Sequence, residues 1–155
     1  MATSTVTLQA MIEGKQSLND LLGLTEKQIQ AIAVMGHQLL SQGRAEDAIR
    51  IFEGLTALDP GSYFGWAGLG AAHLIEGRVE DAAGALARAA SIDSTDATVQ
   101  ANLGEALLRQ GKVDEAKPHL HRAMELDPEK TDPGANRARA ILLGISAAIA
   151  QQGVN

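Results

Sequence analysis

Apolar positions along the chain come in short blocks with helical spacing. Ile32, Met35, Gly36 and Leu39 fall at i, i+3, i+4 and i+7, one face of a helix. Gly43 follows, the residue type that ends a helix in a left-handed conformation. Ala48, Ile51, Phe52 and Leu55 repeat the spacing in a second helix. Asp59-Pro60 closes it, because the residue before a proline is driven out of the α region. The pattern then starts again. Gly36, Gly70 and Gly104 stand 34 residues apart, as do Gly43, Gly77 and Gly111, and Ala48, Ala82 and Ala116. Asp59, Asp93 and Asp127 continue the series, with Ala33, Ala67 and Ala101, and Leu40, Leu74 and Leu108. These columns predict three uninterrupted copies of a two-helix unit, at 29–62, 63–96 and 97–130 within a region 25–131.

The small residues have a packing role. Gly36 and Ala48, with their equivalents, are placed where two antiparallel helices cross, and a larger side chain would hold the axes apart. Paired acids such as Glu46-Asp47 open each second helix, at the positive end of its dipole. Pro118 falls close to the start of the third copy's second helix, near the donors every helix start leaves unpaired.

Both flanks are patterned as well. Thr25 to Gln28 reads as a capping box opening the first repeat helix. Asp132-Pro133 opens a further helix, with Ala138, Ile141, Leu142, Ile145 and Ile149 on one stripe; residues 132–155 should cover the open end of the stack. Residues 1–24 form a helical extension with two apolar clusters. Leu8, Met11 and Ile12 make the first, and Leu18, Leu21, Leu22 and Leu24 the second; the segment either docks on the first repeat or meets a second subunit.

Composition narrows the function. The chain has 155 residues, 45% of them hydrophobic, with four aromatics (Phe52, Tyr63, Phe64 and Trp66) and 16 glycines. Ala, Leu and Gly in that proportion suit close-packed helices better than sheets. The absence of cysteine removes disulfides, thiolate metal sites and cysteine nucleophiles. A net charge of −6 disfavours a nucleic-acid partner, which needs a basic face. No basic leader, polybasic run or membrane-length apolar window is present, so a cytoplasmic protein with no membrane partner is expected. His119 and His121 lie two apart, and His37 and His73 sit at unrelated repeat positions, so no metal or catalytic constellation is indicated. We expect no cofactor and no enzyme activity.

The 34-residue helix–turn–helix period is that of the tetratricopeptide repeat. Trp66, Leu69, Gly70, Ala82, Leu86 and Ala89 carry its large–small signature in the second copy, while Ser94 and Gln100 depart from it. The resemblance implies an all-α fold: three such repeats in a right-handed α-solenoid, with an N-terminal helical extension and a C-terminal capping helix. It further implies that the first helix of each repeat lines a concave, peptide-binding face. The groove positions map onto Gln30, Ala33, His37 and Leu40, then Phe64, Ala67, Ala71 and Leu74, then Thr98, Ala101, Glu105 and Leu108. This face is small and apolar; its leucines suit groove or core equally.

Leu24 to Asp127 is similar to a narrower group. Leu24-Thr25-Glu26, Gly43 to Ala48, Ile51 to Leu55, Leu58-Asp59-Pro60 and Tyr63 to Ala71 resemble the class II chaperones of type III secretion translocators. The resemblance implies a homodimeric chaperone whose partners are hydrophobic translocator proteins or their peptide segments, held extended in the groove. The alternative is a scaffold repeat protein that joins folded subunits of another assembly.

Overall fold

The computed structural model describes residues 17–152 and Ala10. Among residues 17–152 eight helices follow one another: α1 (Leu18–Leu22), α2 (Glu26–Ser41), α3 (Ala45–Leu58), α4 (Tyr63–Ile75), α5 (Val79–Ile92), α6 (Ala97–Arg109), α7 (Val113–Leu126) and α8 (Pro133–Gln152). Among the described residues there is no strand. The pairs α2/α3, α4/α5 and α6/α7 are the three repeats, and α8 closes the stack. The expected all-α solenoid is therefore observed. Leu8, Met11 and Ile12 lie outside the described residues.

Each helix stop within a repeat is the same motif. Gly43, Gly77 and Gly111 have φ of +74°, +74° and +79°. The glycine N–H donates to Leu40, Leu74 or Leu108, and the next N–H to Leu39, His73 or Leu107. Two otherwise orphaned carbonyls are thus satisfied at every turn. The second helices begin without a side-chain cap, and their first turns carry acids instead. Pro118 lies deeper in α7 than the sequence suggests. It is the sixth residue of the helix, so its missing N–H removes an interior bond to the Asp114 carbonyl. Both residues are exposed, so the carbonyl is not locked into an apolar core.

Successive first helices α2, α4, α6 and α8 touch one another, whereas α3, α5 and α7 have no comparable mutual contact. The stack therefore curves with the first helices inside. The core runs through it as three linked clusters, centred on Phe52, on Leu86 and on Leu120, all fully buried. α4 packs against α2, α3, α5 and α6 and is apolar all round, with its Ile75 end left exposed. Met35, expected on the packed face, is 55% exposed, while its equivalents Leu69 and Leu103 are buried. Those two pack against a preceding repeat, and the first repeat has none.

The joints between repeats are built alike. Ser62, Asp96 and Asp132 cap α4, α6 and α8 by accepting from Gly65, Val99 and Ala135 N–H. A side chain four residues after each cap donates to a carbonyl six residues before it. Trp66 Nε1 reaches Pro60 O at 2.8 Å, Gln100 Nε2 reaches Ser94 O at 3.4 Å and Asn136 Nδ2 reaches Lys130 O at 2.9 Å. The Ser94 and Gln100 departures thus keep the bond. The last joint is two residues longer, so α8 is a fourth first helix displaced from the 34-residue register.

Asp127 ties that longer joint down. It is 5% exposed and accepts from Thr131 N–H (3.0 Å), Thr131 Oγ1 (3.2 Å) and Arg139 Nη1 (2.9 Å). Burial opposes ionisation of its carboxyl. The Arg139 bond and the Thr131 and Asp132 donors outweigh that and hold its pKa below the ordinary carboxylate value.

Two stability predictions follow from this packing. A Cβ on Gly68 would stand 2.1 Å from Phe52 Cε1, inside a fully buried contact. Gly68→Ala should cost about 1–3 kcal/mol by overpacking. Phe52→Leu, the residue at the equivalent positions 86 and 120, should recover part of that loss in a chemical-denaturation double-mutant cycle. Additive losses would refute the contact. The second prediction concerns Asp127. Its depressed folded pKa stabilises the fold above the unfolded carboxylate value of about 4, and the gain disappears as pH falls through the folded pKa. Asp127→Asn should lower Tm at pH 7, and its gap to wild type should close in acid; a gap independent of pH would contradict the assignment.

Candidate functional site

The concave wall carries a cleft of about 350 Å³ where α4, α6 and α8 meet. One side is apolar, formed by Ala71, Leu74 and Ile75. Ile75 is 62% exposed although it is the last residue of α4. The other side is polar: Thr98, Asn102, Glu105 and Arg109 from α6, and Arg137 from α8. Glu105 lies between the two guanidiniums. Arg109 Nη2 meets its Oε1 at 2.5 Å and Arg137 Nε meets its Oε2 at 2.9 Å. Arg137 also donates to Asn102 Oδ1, and Arg109 Nη1 to the Leu74 carbonyl at 3.3 Å. Two bonds fix the wall around the cleft. Tyr63 OH donates to Asp96 Oδ2 at 2.5 Å, and Thr98 Oγ1 to Asp132 Oδ2 at 3.1 Å, each joining one repeat to the next. Burial, followed by the Asp96 bond, pushes the Tyr63 hydroxyl far above its ordinary pKa, so it stays a donor.

Of the expected groove positions, the structure gathers Ala71, Leu74, Thr98 and Glu105 into this cleft. Ala33 and Ala101 are instead sealed in the core, at 3% and 1% exposure, because the next first helix packs on theirs, whereas Ala67 stays half-buried. Leu74 is buried as well and shows the cleft only an edge. Leu40 and Phe64 lean on the first core cluster, Ala67 on the second, and Leu108 on the second and third. His37 sets its ring edge-on to Phe52 at 5.2 Å. Gln30 donates to Glu26 on its own helix. In the N-terminal extension Leu18 is half-buried and Leu22 exposed.

Ile75, Asn102, Arg109 and Arg137 are the cleft residues absent from the sequence-derived set. Ile75 and Arg109 follow Leu74 and Leu108 directly, at a position the repeat columns leave variable. Arg137 was hidden by the longer last joint. Aligning the caps Asp96 and Asp132 would have placed it in the column of Ala33, Ala67 and Ala101.

The histidines do not converge. Burial lowers the pKa of His37 and of His119, whose Nδ1 lies 2.8 Å from Gln100 Oε1. His73 is buried at a position where the other repeats have Leu39 and Leu107. Among the described residues no group of His, Asp or Glu side chains is arranged to hold a metal ion, and no helix is long and apolar enough to cross a membrane.

Comparison with known proteins agrees with this architecture. Two tetratricopeptide-repeat family models match residues 34–97 and 73–142. No curated protein sequence matches. Among solved structures, the complex of PcrH with the chaperone-binding region of PopD is 26% identical. It covers 81% of this chain and 96% of its own, with a TM-score of 0.71. A type III secretion complex from Aeromonas hydrophila is 22% identical over 91% of this chain and 95% of its own, with a TM-score of 0.78. The Yersinia enterocolitica translocator chaperone SycD, solved as an alternative dimer, is 24% identical over 77% and 96%, with a TM-score of 0.65. The period, the paired helices and the matched residues together make this chain a member of the tetratricopeptide-repeat family.

Proposed function

We propose that this chain is a cytoplasmic chaperone of type III secretion translocators. It holds an extended, largely apolar client segment along its concave wall and catalyses no reaction. The observation that carries the reading is the likeness to PcrH, which spans 96% of that chain and was solved with a translocator's chaperone-binding region in place. The surface supports it. Exposed Ile75 and half-buried Ala71, Ala67 and Phe64 offer apolar contact with no bulky side chain in the way. Gln30, His37, Leu40, Thr98 and Leu108 continue the wall on either side. An extended segment gains from such contact, since each buried methylene contributes roughly 0.8 kcal/mol.

The chain also pairs with a second copy through its N-terminal end. Leu22, Val34 and Met35 are 57%, 54% and 55% exposed there. They form the face that a preceding repeat would cover. Leu8, Met11, Ile12, Leu18 and Leu21 belong to the same contact in this reading.

Two measurements test these statements. Co-expression with a hydrophobic translocator should keep the translocator soluble, and the double variant Ala71→Glu with Ile75→Glu should lose that effect while keeping helicity and Tm. A client equally soluble without the chain, or with the variant, would overturn the chaperone reading. The mass in solution should be that of a dimer for the full chain and of a monomer once residues 1–24 are removed; an unchanged mass would place the contact elsewhere.

A further inference from the structure

The concave wall is nearly free of charge. On the first-helix columns that face inward, Glu105 and Arg109 are the charged side chains, and α8 adds Arg137. These three sit together at one end of the cleft. A bridge that merely fastened α8 to α6 would need one guanidinium on Glu105. Here two converge on it, leaving one positive charge unmatched in a chain whose net charge is −6. Both arginines remain about half exposed, at 48% and 45%, whereas Glu105 is 17% exposed. The carboxylate is thus the less exposed anchor, and the guanidiniums are presented to whatever enters. Among the described residues, Arg137 Nη1 and Arg109 Nε make no hydrogen bond. Planar donors held in place by a half-buried acid suit a second carboxylate, in the charge-assisted geometry arginine favours.

Resting on the client-binding reading above, we infer that Arg109 and Arg137 form a subsite for one acidic side chain of the bound segment, next to an apolar anchor received by Ala71 and Ile75. Neighbouring helix axes lie about 8–10 Å apart, which an extended chain crosses in about three residues. The segment recognised therefore carries an apolar residue and, about three positions away, Asp or Glu. The apolar contact supplies attraction, and the acidic contact sets which residue stands where.

The test uses the full chain and a display library of random nine-residue peptides, fused at their C-terminal ends so that side chains are the source of carboxylates. Wild type should enrich peptides with an apolar residue and an acid at that spacing. One enriched peptide, made with an amidated C-terminus, should lose about tenfold in affinity when its acid becomes the matching amide. Arg137→Gln and Arg109→Gln, each checked for helicity, should show no such difference, and Arg137→Lys should recover part of it. Apolar peptides without acidic enrichment would overturn this subsite and leave the groove reading standing. No enrichment at all would overturn both. Acidic preference that survives in both arginine variants would refute the assignment, as would a gain in affinity from a free C-terminus in a peptide lacking side-chain acids.

Discussion

One contact, made three times, holds the solenoid together: a fully buried large side chain of each second helix pressed onto a glycine of its partner. Phe52 meets Gly36, Leu86 meets Gly70 and Leu120 meets Gly104. A Cβ on those glycines would stand 2.5, 2.4 and 2.7 Å from the facing side chain, so no other residue fits the observed helix spacing. The spacing in turn lets each first helix reach the next, and that row of first helices is the concave wall. It also explains why aromatic residues are rare. Phe52 occupies a column where the other repeats use leucine, and it fits only because α4 gives up a second side chain at Gly68. Where Leu86 replaces it, the position equivalent to Gly68 is Asn102, which has the room to carry an amide into the cleft.

How much of this was legible in the sequence depended on whether a residue obeyed the period. The helix pairs, their glycine stops and the capping helix were readable, because fixed spacing and local turn chemistry determine them. Exposure was not. A column of identical residues has identical neighbours only in the middle of a stack, so Met35 reads like Leu69 and Leu103 yet faces outward. Ala33 and Ala101 were placed on the right helices, and the packing of the next helix buries them. Arg137 could not be assigned by period, since the last joint is two residues longer. The chemistry of the joint still revealed it afterwards. The capping acid and the side chain that reaches back six residues recur there in the same order.

The repeat thus divides the molecule into parts that obey the columns and parts that depart from them. Obedient positions build the framework: the core clusters, the Schellman turns and the caps. Departures gather at surfaces. The first repeat leaves Val34 and Met35 exposed because, among the described residues, no earlier repeat packs on them, and the last first helix places an arginine where three earlier helices have alanine. At Ala33 and Ala101 that column is core, and an arginine there would be a buried charge without solvent. Among the described residues no further helix covers Arg137, so the same backbone position stays open to solvent.

This division bears on how an apolar wall can select a partner. Alanine and isoleucine attract any greasy segment, since the hydrophobic term has no direction. A chaperone built from them alone would hold its client in many registers. A charged bond is directional and, with one carboxylate already fixed between two guanidiniums, costs little reorganisation when a second arrives. A polar end on an otherwise apolar groove is therefore the economical way to fix register. The terminal helix is where the fold can place it without disturbing the glycine contacts on which the remainder of the stack rests.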